Sequence, residues 1–322
     1  MLEKYSVHTD LALEDKERFE SDNVEVKGVV LEEDYDADRE IRITTVKIET
    51  EKSAKIMGKP VGTYITIETP NLVVPDDEFH EQISKDVAKL IQSLIPFEKE
   101  EYSALVVGLG NRQVTPDALG PNVIDELNVS RHIIREYGKY AMGDDSVQMI
   151  SAIVPGVMAQ TGMETSEIIK GVVDETKPDI VFVVDALAAR NSKRLNRTIQ
   201  IADTGIRPGA GVGNHRCGIT KDSLGIPVIA IGVPTVVDAA TIVNDTMENL
   251  IQALETSETL KGVGVVLQGY DATEKYELIK ELISPHLNGM FVTPKDIDEM
   301  ILRIANTIAE GLNILFRKKN II

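Results

Sequence analysis

The chain has 322 residues, 43% of them hydrophobic and 27% charged, a balance that suits a globular protein with an ample core. A formal net charge of −18 argues against nucleic-acid and anionic-membrane partners, which both require clustered lysine and arginine. Cys217 is the one cysteine, so there is no disulfide framework and a reducing compartment is expected; no apolar run is long enough to span a membrane.

Residues 1–22 are polar and charged without periodicity, which predicts a loose terminus. Period-two runs follow at Val24–Val30, Ile41–Ile48 and Val61–Ile67, and predict antiparallel strands over roughly 23–70. Asp34–Glu40 reads as an acidic turn between them, and Lys52–Lys59 as a second connection. Asp76–Leu94 carries Ile83, Val87, Leu90, Ile91 and Leu94 on one stripe, a helix stopped by Pro96. Beyond it, buried-strand runs at Leu105, Val147–Val154, Val181–Val184 and Ile226–Ile231 alternate with helical stretches, the pattern of βαβ units and a parallel sheet. A strand at Val263–Leu267 and helices at Thr273–Ile283 and Thr293–Phe316 complete the reading.

Two apolar runs end in aspartate. Leu105–Gly110 leads through Asn111 to Thr115-Pro116-Asp117, read as a sharp turn followed by a helix capped by Thr115 with Pro116 in its first position. Val181–Val184 is followed directly by Asp185. Parallel neighbours would bring both carboxylates to the rim where open α/β sheets place their sites. Asp117 alone could equally stabilise a helix start, as could Asp238 in the first turn of the helix expected after Thr235.

At about 4 Å and an effective dielectric near 20, two carboxylates repel by roughly 4 kcal/mol, or about three pK units. One proton is then held between them, so that one acid activates water while the other polarises a peptide carbonyl. The five histidines are scattered and form no close metal spacing, and no Gly-x-Ser-x-Gly elbow occurs. No metal and no cofactor is therefore expected. The glycine-dense loop Asp203–Asn214, with Gly209, Gly211 and Gly213, lacks the strand before it and the Gly-Lys-Ser/Thr after it that phosphate loops need. It reads as a loop that lets backbone approach a peptide substrate or that packs a subunit contact.

The blocks Tyr5–Ala12, Gly62–Glu68, Val107–Asn111, Thr115–Pro121, Pro155–Met158, Thr161–Thr165, Asp185–Arg190, Asp203–Ile206 and Gly232–Asp238 together resemble the germination protease family of endospore-forming bacteria. The resemblance implies an atypical aspartic endopeptidase acting on small acid-soluble spore proteins in the spore core. Asp117 and Asp185 match the family's two proposed catalytic acids. It implies a homotetramer, without direct nucleic-acid or membrane contact, made as a zymogen. The fold would be a three-layer α/β domain with a mostly parallel sheet and an antiparallel amino-terminal addition, similar to the hydrogenase-maturation peptidases. Family substrates are cut after an acidic residue in a context that Thr9-Asp10-Leu11-Ala12 mimics. That predicts self-cleavage between Asp10 and Leu11, with residues 1–10 as propeptide and 11–322 as a single peptidase domain. A metal-assisted peptidase of the hydrogenase-maturation type and a non-catalytic binder of spore proteins are the alternatives.

Overall fold

The computed structural model describes residues 10–14, 27–143, 146–209, 216–256 and 289–317. The period-two stretch forms an antiparallel meander of β1 (Val29–Asp36), β2 (Ile41–Ile48) and β3 (Gly62–Glu68). Strand β1 continues to Asp36, which narrows the acidic turn to the residues just before Ile41, with Glu40 left-handed at φ 52°. The connection expected at Lys52–Lys59 is instead helix α1 (Glu51–Met57). It opens on a Thr50–Ser53 capping box and closes on left-handed Gly58. Two turns are too short to display a helical period, yet Ala54 and Met57 pack against Val46, Ile48 and Tyr64.

Helix α2 (Asp77–Leu94) is the amphipathic helix expected, with the Asp76 side chain accepting from the Phe79 N–H and Ile83, Val87 and Ile91 buried. Next come β4 (Ser103–Gly108), α3 (Leu119–Asp125), α4 (Arg131–Tyr137), β5 (Met149–Ile153), α5 (Thr165–Thr176) and β6 (Ile180–Ala189). The carboxyl-terminal part holds β7 (Thr198–Ala202), β8 (Val228–Asp238), α6 (Ala239–Thr256), β9 (Phe291–Val292) and α7 (Ile297–Leu315).

Among the described residues all strands join one nine-stranded sheet in the order β1-β2-β3-β7-β8-β6-β4-β5, with β9 on β8. Strands β8, β6, β4 and β5 run parallel. Their side chains alternate between two covered faces, which explains why each reads as a continuous apolar run. Val106, Phe182, Val184 and Ile231 face helices α2, α3 and α7. Leu105, Val107, Val181 and Val183 face α5 through Ile169 and Val173. Full burial of a side chain such as Phe182 (0% exposed) is worth about 1.5–3 kcal/mol. The architecture is the expected α/β sheet with helices on both faces, but its parallel part stops at β8. Strand β7 pairs antiparallel with both β3 and β8, so the antiparallel portion extends well beyond residues 23–70.

Further differences bear on the site. Strand β7 has no counterpart among the elements expected from the sequence, and it immediately precedes the glycine-dense loop, which therefore does follow a strand. Strand β8 runs to Asp238 rather than ending near Ile231, so Val236 and Val237 are strand residues and the helix starts at Ala239. Strand β6 likewise passes through Asp185 to Ala189, because β8 keeps pairing with it there. Thr115–Asp117 is a single 3-10 turn without a side-chain cap, and the helix proper begins at Leu119. The amino terminus is not loose where it is described, since Leu11 through Glu14 are buried. The expected strand at Val263–Leu267 and helix at Thr273–Ile283 lie outside the described residues.

Candidate active site

Strand β4 gives out at Gly108, whose rung with Val184 is extended by one more bond from the Leu109 N–H to the Val184 carbonyl at 2.8 Å. The chain then reverses at Gly110, with φ 107°, a conformation that side-chain-bearing residues rarely adopt. A Cβ at Gly110 would lie 1.9 Å from the Asp117 carbonyl oxygen, which itself accepts from the Asn111 N–H at 2.9 Å. The turn is therefore folded directly onto Asp117. Thr235 of β8, 1% exposed, donates its hydroxyl to the Pro116 carbonyl at 2.7 Å and fixes the turn from the other side. Asp117 is thus held at the carboxyl end of β4.

Asp185 is the first β6 residue beyond that end, level with Gly232 of β8, which is in turn level with Gln200 of β7. The residues flanking each of these point into the opposite layer, so Asp185, Gly232 and Gln200 form a row on one face. Asp185 is 6% exposed, and its Oδ1 accepts from the Ala186 N–H at 3.0 Å.

The β6 edge that β4 vacates is taken by Asp10. The Ala188 N–H donates to Asp10 Oδ2 at 2.9 Å, and the Asp10 N–H approaches the Ala188 carbonyl at 3.4 Å. Leu11, 0% exposed, packs on Leu187, Ala189 and Val237. Gln200 Oε1 accepts from the Ala12 N–H at 2.8 Å, while Gln200 Nε2 donates to the Asp10 carbonyl at 3.1 Å. Glu14 accepts from the Arg190 and Asn191 N–H groups at 2.8 and 3.0 Å. Arg194, itself on Glu68, stands 3.6 Å from Glu14.

These placements set the electrostatics. Burial pushes the Asp185 carboxyl well above the ordinary carboxylate range, and the neighbouring charges of Asp117 and Asp10 push it further. Burial also raises Asp117, against the Asn111 backbone N–H and the positive charge of Arg216. Among the described residues no three His, Cys, Asp or Glu are grouped to hold a metal ion.

Comparison with known proteins decides the family. A model described as germination protease matches residues 7–263 and 253–320. The chain belongs to the germination protease family. A germination protease of Caldanaerobacter subterraneus is 49% identical over 309 residues, covering 96% of this chain and 93% of the relative. One from Clostridium perfringens is 47% identical over 96% of this chain and 95% of its own length. One from Bacillus subtilis is 38% identical over 98% and 95% respectively. A solved [NiFe] hydrogenase maturation protease from Thermococcus kodakarensis covers 71% of this chain and 98% of its own, at 19% identity and a TM-score of 0.33, too slight a likeness to assign any residue a role.

As a member of the germination protease family the chain is a protease of spore germination with a protein substrate. Of its site residues anticipated from sequence, the fold brings Asp117, Asp185, Asp10 and Leu11 to one place. Gly209 lies in a left-handed turn at φ 71°, while Gly211 and Gly213 are outside the described residues. Asp238 ends β8 and its Oδ1 accepts from the Ala240 N–H at 2.9 Å, a helix-capping role. No described helix is long and apolar enough to cross a membrane. Gln200, Lys59 and Arg216 escaped sequence reasoning. Only Gln200 left a trace, as the polar residue between Ile199 and Ile201 in an unrecognised strand.

Proposed function

We propose that this chain is an atypical aspartic endopeptidase that cleaves small acid-soluble spore proteins in the spore core. It acts as a homotetramer and matures by cutting its own Asp10–Leu11 bond, so that residues 1–10 form the propeptide of a single peptidase domain. The observation that carries this is the buried Asp185 at the sheet rim, with Asp117 held at the end of β4 and Asp10 on the same β6 edge, an arrangement that favours a proton on Asp185.

The roles follow from the asymmetry of the two acids. Asp185 is the more buried, feels both other carboxylates, and keeps the shared proton. Asp117 is half-buried and has the Asn111 N–H and the Arg216 charge to support its ionised form, so it serves as the base that takes a proton from water. The new hydroxyl joins the carbonyl carbon, the carbon–nitrogen bond breaks, and the proton of Asp185 passes to the departing nitrogen. Asp117 then returns its proton to the pair.

Docking of the Asp10–Leu11 bond beside this dyad supports self-processing. Severing it would release the Asp10 charge from beside Asp185 and open the vacated β6 edge to substrate. Acidification favours the step by supplying the shared proton. Purified precursor incubated over falling pH, with the amino terminus read by sequencing, should lose residues 1–10, and an unchanged terminus at every pH counts against the proposal.

A further inference from the structure

Two side chains from distant parts of the chain converge on one carbonyl oxygen. Lys59 Nζ donates to the Asp10 carbonyl at 3.0 Å, and Gln200 Nε2 donates to the same oxygen at 3.1 Å. This oxygen belongs to the peptide bond proposed above as the site of self-cleavage. We propose that Lys59 and Gln200 are catalytic residues that hold the carbonyl oxygen of the scissile peptide, first in the chain's own leader and then in substrate.

Each donor is held in place by its own support. Lys59 follows the left-handed Gly58 that ends α1, and its own N–H is bonded to the Ala54 carbonyl at 3.2 Å. Pro60 beyond it is fixed by the Tyr64 hydroxyl, which donates to its carbonyl at 2.9 Å. Gln200 is 9% exposed and sits in β7, level with Gly232 and, through it, with Asp185. A β-strand spacing of about 4.8 Å puts its backbone roughly 10 Å from that of Asp185, leaving room between them for an extended peptide. The Gln200 amide grips that peptide twice, accepting from the Ala12 N–H and donating to the Asp10 carbonyl.

The chemistry needs such a pair. When water adds to the Asp10 carbonyl carbon, the electron pair of the C=O bond moves to oxygen, and that oxyanion requires donors already in place. Lys59 supplies a full positive charge and Gln200 a neutral N–H in a mostly buried setting. With the oxygen held this way, Asp185 need not spend its proton polarising the carbonyl and can deliver it to the Leu11 nitrogen. The overall step consumes one water and yields the Asp10 carboxyl and the Leu11 amine, with no other reactant.

The inference rests on the proposed Asp10–Leu11 cut, and its test separates the two. Full-length Lys59→Met, Lys59→Arg and Gln200→Glu chains are followed by intact mass for their first-order rate of self-cleavage. Gln200→Glu keeps the acceptor for the Ala12 N–H but replaces the donor with a carboxylate oxygen and adds a negative charge, so Gln200→Met, neutral and lacking the donor, is run beside it and must show the same fall in kcat. After leader removal by immobilised wild-type enzyme, kcat and KM are measured on the peptide spanning Ser6 to Lys16. The expected result is a fall of about 100-fold in kcat for Lys59→Met and Gln200→Glu, KM changing by less than about threefold, and substantial recovery in Lys59→Arg. Wild-type kcat with only KM or the melting temperature altered would show the two side chains to be anchors of the leader and overturn the inference. If Lys59→Met fails to fold, Lys59→Arg against Gln200→Glu decides the matter. An Asp185→Asn chain run alongside tests the underlying reading: if it still cuts itself, the dyad fails, whereas a dyad that is essential beside fully active Lys59 and Gln200 variants removes only the oxyanion role.

Discussion

Asp10 and Asp185 share the edge of β6, three residues apart along it: the Ala188 N–H binds the Asp10 carboxylate, and the Asp10 charge in turn raises the proton affinity of Asp185. Asp10 thus contributes a third carboxylate to the field in which Asp117 and Asp185 titrate.

Replacing either acid by asparagine should abolish turnover. With Asp185→Asn the shared proton has no holder, and with Asp117→Asn water has no base. Loss of a positioned acid–base group costs about 10²–10⁴-fold. Both full-length variants should retain their amino terminus under conditions in which wild type is processed, as read by intact mass.

Stability should fall as pH rises through the range in which Asp185 ionises. Its folded-state proton affinity is raised, so between the ordinary carboxylate value near about pH 4 and its own higher value the native state binds more protons than the unfolded chain. The sign of the linkage makes native stability decline with increasing pH across that window and level off above it. Asp185→Asn removes a buried acid that is ionised in the unfolded chain and must take up a proton on folding, so it should be more stable than wild type at neutral pH, with the advantage shrinking on acidification. Urea midpoints measured across pH for both chains check this.

Gly110→Ala should damage fold and activity together. The backbone there has φ 107°, and the added Cβ would meet the Asp117 carbonyl oxygen at 1.9 Å. Strain and displacement of backbone should cost more than about 2 kcal/mol and move the Asp117 turn. Gly162→Ala is the control, with φ 72° but nothing within 4 Å of the added carbon, and should cost only about 1 kcal/mol. Thermal melts and turnover of the two variants separate backbone strain from crowding of the site.

Glu14→Ala should destabilise the chain by about 2–4 kcal/mol. Glu14 is 4% exposed, accepts from two backbone N–H groups and faces Arg194, which is 7% exposed. Its removal leaves two half-buried backbone donors unmatched and takes from the buried Arg194 one of the two carboxylates beside it, the other being Glu68, a larger penalty than the net worth of the bonds themselves. Denaturant midpoints test it, and an unchanged midpoint would mean that residues 10–14 are only loosely attached.

Much of this was readable from local pattern. Helix α2 declared itself by its apolar stripe, and β4, β5 and the first half of β6 by apolar runs, because one covered face or two covered faces leave a periodic mark on the residues themselves. Where elements ended was not readable. Asp185 looked like a strand terminus because its apolar run stops, yet the strand continues, since pairing with β8 rather than side-chain polarity sets its length. Strand β7 was hidden in a short mixed stretch, Thr198–Ala202, whose polar Gln200 faces the site instead of the core. Residues 10–14 carry no pattern that announces their burial, because a segment that binds one sheet edge through backbone and carboxylate bonds needs no periodicity at all.

The linear order of residues was enough to specify an acidic α/β protein in which two parallel strands carry Asp117 and Asp185 toward a common rim, because strand spacing and connection handedness constrain where such runs can go. Only the folded arrangement settled that Asp10 takes the β6 edge that β4 gives up, and that Lys59 and Gln200 meet at its carbonyl oxygen. Those contacts join residues far apart in the chain, and nothing in the local sequence of either partner registers a hydrogen bond made across that distance.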